Sequence, residues 1–254
     1  MSTEPESDRP RSPLYPPPIM VRMRVPQTSP FWTYAILAVN LLVFGSAWLL
    51  GRDLVLGMGA KINQAIIAGE VWRLATAMFL HVDLLHIAFN SYALLAFGPQ
   101  VEQPYGRPRF LLMYCLSGLA GSTLSFLLSP HPSVGASGAI FGLVGVTGAY
   151  LYRYRDRLVA GRARLGNILS IVAYNLIYGF LVPAVDNWAH IGGLLAGLTL
   201  GWFLAPRYQT VRTDPLGPPR LVDRRSPLHW LTGIGLVGLG IGLALLGGFL
   251  RWGG

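Results

Sequence analysis

The chain has 254 residues, of which 52% are hydrophobic and only 12% charged, with a mean hydropathy of +0.47 and a formal net charge of +9. Its apolar residues gather into long runs instead of alternating with polar ones, which excludes an ordinary soluble domain and reads as an all-α polytopic membrane protein. The positive charge is spread over loops, so it reports orientation in the bilayer, and no nucleic-acid partner is implied.

Residues 1–30 are proline-rich, include Pro16-Pro17-Pro18 and hold no apolar core, which predicts a disordered or polyproline-like cytoplasmic tail. No signal-peptide segment precedes the first apolar run, so that run is expected to serve as an uncleaved anchor. At about 20 residues per crossing, seven stretches are long enough to span: 31–50, 75–98, 110–129, 135–152, 165–182, 187–205 and 229–250. Residues 31–205 then form a six-helix core and 206–228 a Pro/Arg-rich linker. Residues 229–254 carry the seventh span and a short outer tail. With the N-terminus inside, sixteen of the twenty Lys and Arg residues fall in inner segments; only Arg52, Lys61, Arg73 and Arg251 fall outside. The positive-inside bias is thereby satisfied, with the C-terminus outside. The single cysteine, Cys115, lies in the third span, where it excludes an intramolecular disulfide and reads as a small packing residue.

Spans two, four and six all enter from the outer side, and each begins with unusual polar residues: His81, His86 and Asn90; Ser137; His190. Ser137 stands in Gly135-Ala136-Ser137-Gly138-Ala139, and His190 in Ala189-His190-Ile191-Gly192-Gly193. Ionisable groups inside a membrane are costly and mark functional sites. His190, Gly193, Gly197 and Gly201 share one helix face, and Gly138, Gly142, Gly145 and Ala149 form a similar stripe after Ser137. Two small-residue faces let backbones approach closely, which would bring the serine hydroxyl to the imidazole. The same stripes also fit plain helix packing. His86 and Asn90, four residues apart, offer donors for a developing oxyanion, and the Ser137 backbone N–H at a helix start offers another. His81 lies off that face and is expected to precede the regular helix. Asp186 fits either an N-cap or a third member of a catalytic triad. Asp83 reads as a polar residue at the start of span two.

These ordered motifs resemble the rhomboid family of intramembrane serine proteases over residues 31–205. The resemblance rests on Trp72-Arg73, the His81, His86 and Asn90 series, Glu102, Gly135-Ala136-Ser137-Gly138, and Ala189-His190 with Gly193 and Gly197. It implies a six-helix core plus one C-terminal helix and a Ser137–His190 dyad. The oxyanion hole would be formed by His86, Asn90 and the Ser137 amide. It further implies that Trp72 and Arg73 seat the outer loop on the lipid bilayer. Phe141 stands where the family often has a tyrosine beside the histidine, so a ring contact is expected without a phenolic hydrogen bond. Substrates would be single-pass transmembrane proteins entering between spans two and five, past Phe89, Tyr174 and Tyr178. No cofactor or metal is required.

Other classes fit less well. A transporter would show ionisable groups along a route across the membrane, whereas these cluster toward one side. His81, His86 and His190 lack the spacing of a zinc-binding H-E-x-x-H motif. A non-proteolytic rhomboid-like binding factor would not need both dyad residues. The compact chain without a transit-like leader is expected in a prokaryotic plasma membrane. Oligomeric state has no sequence signature.

Overall fold

The computed structural model of the chain describes residues 27–212 and 220–254, so most of the proline-rich tail lies outside the described residues. Helix α1 (Phe31–Leu50) follows Pro30, which has no side chain to cap it. The cap comes from elsewhere. The Glu102 carboxylate accepts from the N–H groups of Trp32 and Thr33 and from the Thr33 hydroxyl, each at 2.8 Å. Orphan first-turn donors at a helix start need such an acceptor.

A folded connection follows, built from α2 (Arg52–Gly59), α3 (Asn63–Ile67), α4 (Arg73–Thr76) and a 3₁₀ turn over Ala77–Phe79. It bends by 89° into α5 (Leu84–Tyr105). The second span was expected over 75–98 and is displaced toward the C-terminus. Its start is fixed by Asp83, whose carboxylate accepts from the His86 N–H at 2.8 Å. Its end runs past Pro99 and Pro104 to Gly106, which adopts φ 84°. Two prolines suggest a stop, but membrane helices tolerate them where neighbours re-satisfy the backbone. Glu102 therefore belongs to the helix and does not follow it.

The remaining helices are α6 (Arg107–Leu128), α7 (Ser137–Tyr154), α8 (Gly161–Leu181), α9 (Asn187–Leu204) and α10 (Pro227–Trp252). Between α9 and α10, where a plain linker was expected, β1 (Tyr208–Val211) pairs antiparallel with β2 (Arg220–Asp223), Tyr208 opposite Asp223. Asp223 organises this hairpin. Its carboxylate is paired with Arg109 of α6 and accepts from the N–H groups of Arg207 at 2.8 Å and Arg225 at 3.0 Å.

Among the described residues, α1, α6, α8 and α10 are long and apolar enough to cross a membrane alone, and α5 is so together with its bent lead-in. Hydropathy thus supports up to five crossings where seven were expected. Helices α7 and α9 fall short because they form the protein-packed middle of the bundle. Every residue of α7 from Gly138 to Ala149 is buried, and α9 is buried along its glycine face against α6 and α7. A helix shielded by other helices can carry small and polar residues that lipid would reject.

Candidate active site

Helices α5, α7 and α9 begin at the same end of the bundle and place His86, Ser137 and His190 there. Ser137 is the first residue of α7, where the backbone N–H has no intrahelical acceptor. The turn before it needs Gly135, which adopts φ 128°, a conformation that L side chains rarely enter. Gly135 also makes room. A Cβ there would lie 2.6 Å from His86 Nε2 and 3.7 Å from Ser137 Oγ. The histidine and the serine hydroxyl thus flank one glycine.

His190 sits in the first turn of α9 and is buried. Its ring stacks on Phe141 at 4.2 Å between centroids and 6° between planes. Phe141 is four residues after Ser137, so both occupy the face of α7 that His190 covers. The expected ring contact is present. His190 Nδ1 is buried and has no hydrogen-bond partner among the described residues.

What holds the two helices at this distance is the absence of side chains. A Cβ on Gly193 would overlap the Gly138 carbonyl oxygen, and one on Gly197 would overlap that of Gly142. Farther along, a Cβ on Gly201 would come within 2.7 Å of Val146 Cα. Backbone touches backbone for three helical turns.

Asp186 caps α9. Its carboxylate accepts from the Ala189 N–H at 3.1 Å and is hydrogen-bonded to the Ser125 hydroxyl. Both oxygens are engaged away from the imidazole, the arrangement of a cap and not of a triad. Asn90 is buried and donates its side-chain amide to the His86 carbonyl at 2.9 Å, which spends one of its two hydrogens within α5. His81 precedes α5, buried, with its ring edge-on to His86 at 5.1 Å.

Three other expected residues behave differently from one another. Trp72 points outward and is exposed, whereas Arg73 turns inward, ion-paired with Glu70 at 2.5 Å and bonded to the Ala60 carbonyl at 3.1 Å. Glu102 is far from the site, at the opposite end of α5.

Sequence reading passed over Lys61, the chain's only lysine. It is buried, and its ammonium donates to the carbonyls of His131 at 2.6 Å and Ser129 at 3.2 Å and to Asn63 Oδ1 at 3.1 Å. Its backbone pairs with Ser133 in both directions, at 2.9 and 3.0 Å. Together with the Gly135 N–H bonded to the Ala77 carbonyl at 2.9 Å, these contacts fasten the loop that delivers Ser137. Burial pushes the Lys61 ammonium down to about 8, partly opposed by the Asp186 carboxylate. The signal was a lone cation in an apolar surrounding, but two of its three partners are main-chain carbonyls, which carry no sequence signature.

A family model described as the Rhomboid domain matches residues 68–207. The chain is 43% identical over 173 residues to the rhomboid protease GluP of Bacillus subtilis, which covers 66% of this chain and 34% of that protein. It is 43% identical over 159 residues to RHOMBOID-like protein 6, mitochondrial, of Arabidopsis thaliana, covering 60% of this chain and 50% of the relative. RHOMBOID-like protein 1 of the same plant is 36% identical over 202 residues, covering 74% and 52%. The chain therefore spans between 34% and 52% of the lengths of these relatives. The matched region contains Ser137, His190, His86 and Asn90 together with the helices that carry them, and with a domain match extending over more than half of its length this membrane protein belongs to the rhomboid family.

Proposed function

We propose that the chain is an intramembrane serine endopeptidase in which Ser137 is the nucleophile and His190 the general base. The observation that carries this reading is the His190 ring lying flat on Phe141, on the α7 face that begins with Ser137. His190 takes the Ser137 proton as the oxygen attacks a peptide carbonyl, then returns it to the leaving amine as the C–N bond breaks. Water, deprotonated by the same imidazole, hydrolyses the acyl-enzyme and restores the serine. The Ser137 backbone N–H, His86 and the free Asn90 hydrogen supply donors for the tetrahedral oxyanion. Access of His86 to this oxygen is supported by its position across Gly135 from the Ser137 hydroxyl.

The substrate must expose a carbonyl, which an intact transmembrane helix does not do. Single-pass proteins with Gly, Pro or polar residues near the outer membrane face meet that requirement. Entry between α5 and α8 is supported by how little of α8 is buried, only Gly161, Ile168 and Gly179, and by the exposed rings of Phe89, Tyr174 and Tyr178. Residues 31–205 form the catalytic core in this reading. A prokaryotic plasma membrane with the N-terminus inside fits the arginines gathered at the end of the bundle away from Ser137.

The test uses purified wild type and Ser137→Ala in liposomes with a tagged single-pass substrate, both verified as folded. Cleavage by wild type alone supports the reading, and His190→Ala should then be equally inactive. Equal cleavage by both chains removes Ser137 as nucleophile. Stable substrate binding without cleavage by either chain, across a varied panel, favours a non-proteolytic binding factor.

A further inference from the structure

At the end of the bundle opposite Ser137, a cavity of ≈480 Å³ is lined by Arg153, Tyr154, Asp156, Arg157 and Arg207. The residues come from the last turn of α7, the turn after it and the segment following α9, so Arg207 joins Arg153 and Arg157 from a distant part of the sequence. Asp156 is the only carboxylate in the lining, and Arg162 already holds it at 3.0 Å. Arg153 donates to the Trp202 carbonyl at 3.3 Å and lies 5.1 Å from the Trp202 ring centre. The guanidinium groups of Arg157 and Arg207 make no hydrogen bond or ion pair among the described residues. A fourth cation stands close by. Arg225 bonds the carbonyls of Trp202 at 2.8 Å and Phe203 at 2.9 Å.

Orientation in a membrane requires arginines on the inner side, but it does not require them to crowd around a cavity. Three arginines around one space whose single carboxylate is already paired with Arg162 make a cleft that concentrates anions. The neighbouring surface identifies the anion. On α9, Leu195, Leu198 and Trp202 are 56%, 39% and 43% exposed, spaced by three and four residues so that they form one outward apolar track ending at the cavity. Tyr152, also exposed, stands beside Trp202 at 6.4 Å between ring centres. An apolar track that leads into a basic cavity matches an amphiphile with a negatively charged head.

We propose that this cavity binds the phosphodiester headgroup of an anionic phospholipid, with an acyl chain lying along Leu195 and Leu198. Arg157 and Arg207 bind the phosphate oxygens, Arg153 borders them, and Trp202 and Tyr152 mark the depth of the headgroup layer.

The full chain, delipidated in detergent, is titrated with phosphatidylglycerol and, in parallel, phosphatidylcholine, and bound lipid is counted by native mass spectrometry. Wild type should retain phosphatidylglycerol roughly tenfold better than phosphatidylcholine. The double variant Arg157→Gln, Arg207→Gln, which breaks no side-chain hydrogen bond or ion pair among the described residues, should lose affinity for phosphatidylglycerol by roughly ten- to thirtyfold. The control Arg212→Gln, Arg224→Gln removes the same charge from residues outside the cavity lining and should bind like wild type. An equal loss in both double variants overturns the proposal in favour of diffuse electrostatics. So does equal retention of the two lipids. If inorganic phosphate alone displaces phosphatidylglycerol at matched concentration, the site takes free anions and the lipid assignment is wrong.

Discussion

Gly193→Ala tests whether the bare backbone contact between α7 and α9 sets the reactive geometry. The new Cβ would overlap the Gly138 carbonyl oxygen and lie 2.8 Å from its carbonyl carbon, where relaxed carbon contacts fall at about 3.5–4.0 Å. Both obstacles are main chain, so no rotamer change relieves them and the helices must part by roughly 1 Å, an overpacking cost of about 1–3 kcal/mol. His190 is one turn before Gly193 and moves with it. Misplacement of a reacting group by about 1 Å can cost roughly a hundredfold in rate. Gly238→Ala on α10 is the matched control, because a Cβ there meets nothing within 4 Å and alanine gains about 0.5–1 kcal/mol over glycine in a helix interior. Cleavage of a tagged substrate in liposomes and thermal unfolding are measured on both variants. Gly193→Ala should lose about two orders of magnitude in kcat and unfold earlier, while Gly238→Ala should match or exceed wild type in both. Wild-type turnover by Gly193→Ala at an unchanged Tm would refute the reasoning.

Three further outcomes follow from contacts described above. Glu102→Ala strips the acceptor from the start of α1 and should destabilise by roughly 2–4 kcal/mol, lowering Tm while kcat per folded molecule stays near wild type; an equal fall in kcat would mean that this cap communicates with the site. Phe141→Leu keeps an apolar side chain but removes the aromatic face under His190, worth about 0.5–1.5 kcal/mol, so kcat should fall roughly two- to tenfold with little change in KM. An unchanged kcat would show that the stack does not orient the imidazole. For Lys61, burial lowers the folded value to about 8 from 10.5, so between those values the unfolded chain keeps a proton that the folded chain has released. Stability of wild type relative to Lys61→Met should therefore rise as pH increases through that window, read from unfolding midpoints at matched pH; a constant difference would remove burial as the cause.

The helical plan was legible because apolar runs of membrane length announce themselves, and α1 begins and ends at the expected residues. Span two was misjudged because the turn at Leu80–Asp83 lies within a longer apolar stretch, and because Pro99 and Pro104 look like an exit. The hairpin between α9 and α10 was invisible for a different reason. Its strands are four residues each, and they are held by Arg109 and by backbone N–H groups meeting at Asp223. At the site, Ser137, His190, His86 and the glycines could be picked out because polar or tiny residues are conspicuous in apolar helices. The support of Lys61 could not, since two of its three acceptors are main-chain oxygens of residues about 70 positions away. The distinction between a cap and a triad at Asp186 also needed coordinates, because both uses place an acid just before the histidine.

The borrowed cap on α1 has a consequence for how the molecule is made. The first helix is finished by a carboxylate 69 residues further along the chain, so during synthesis its opening turn lacks its acceptor until α5 has emerged and packed. Insertion of the first span and completion of the first span are thus separate events, and Glu102 couples them. A nascent chain that stalls before α5 would leave the first turn of α1 without its acceptor, and in that respect it differs physically from the folded protein.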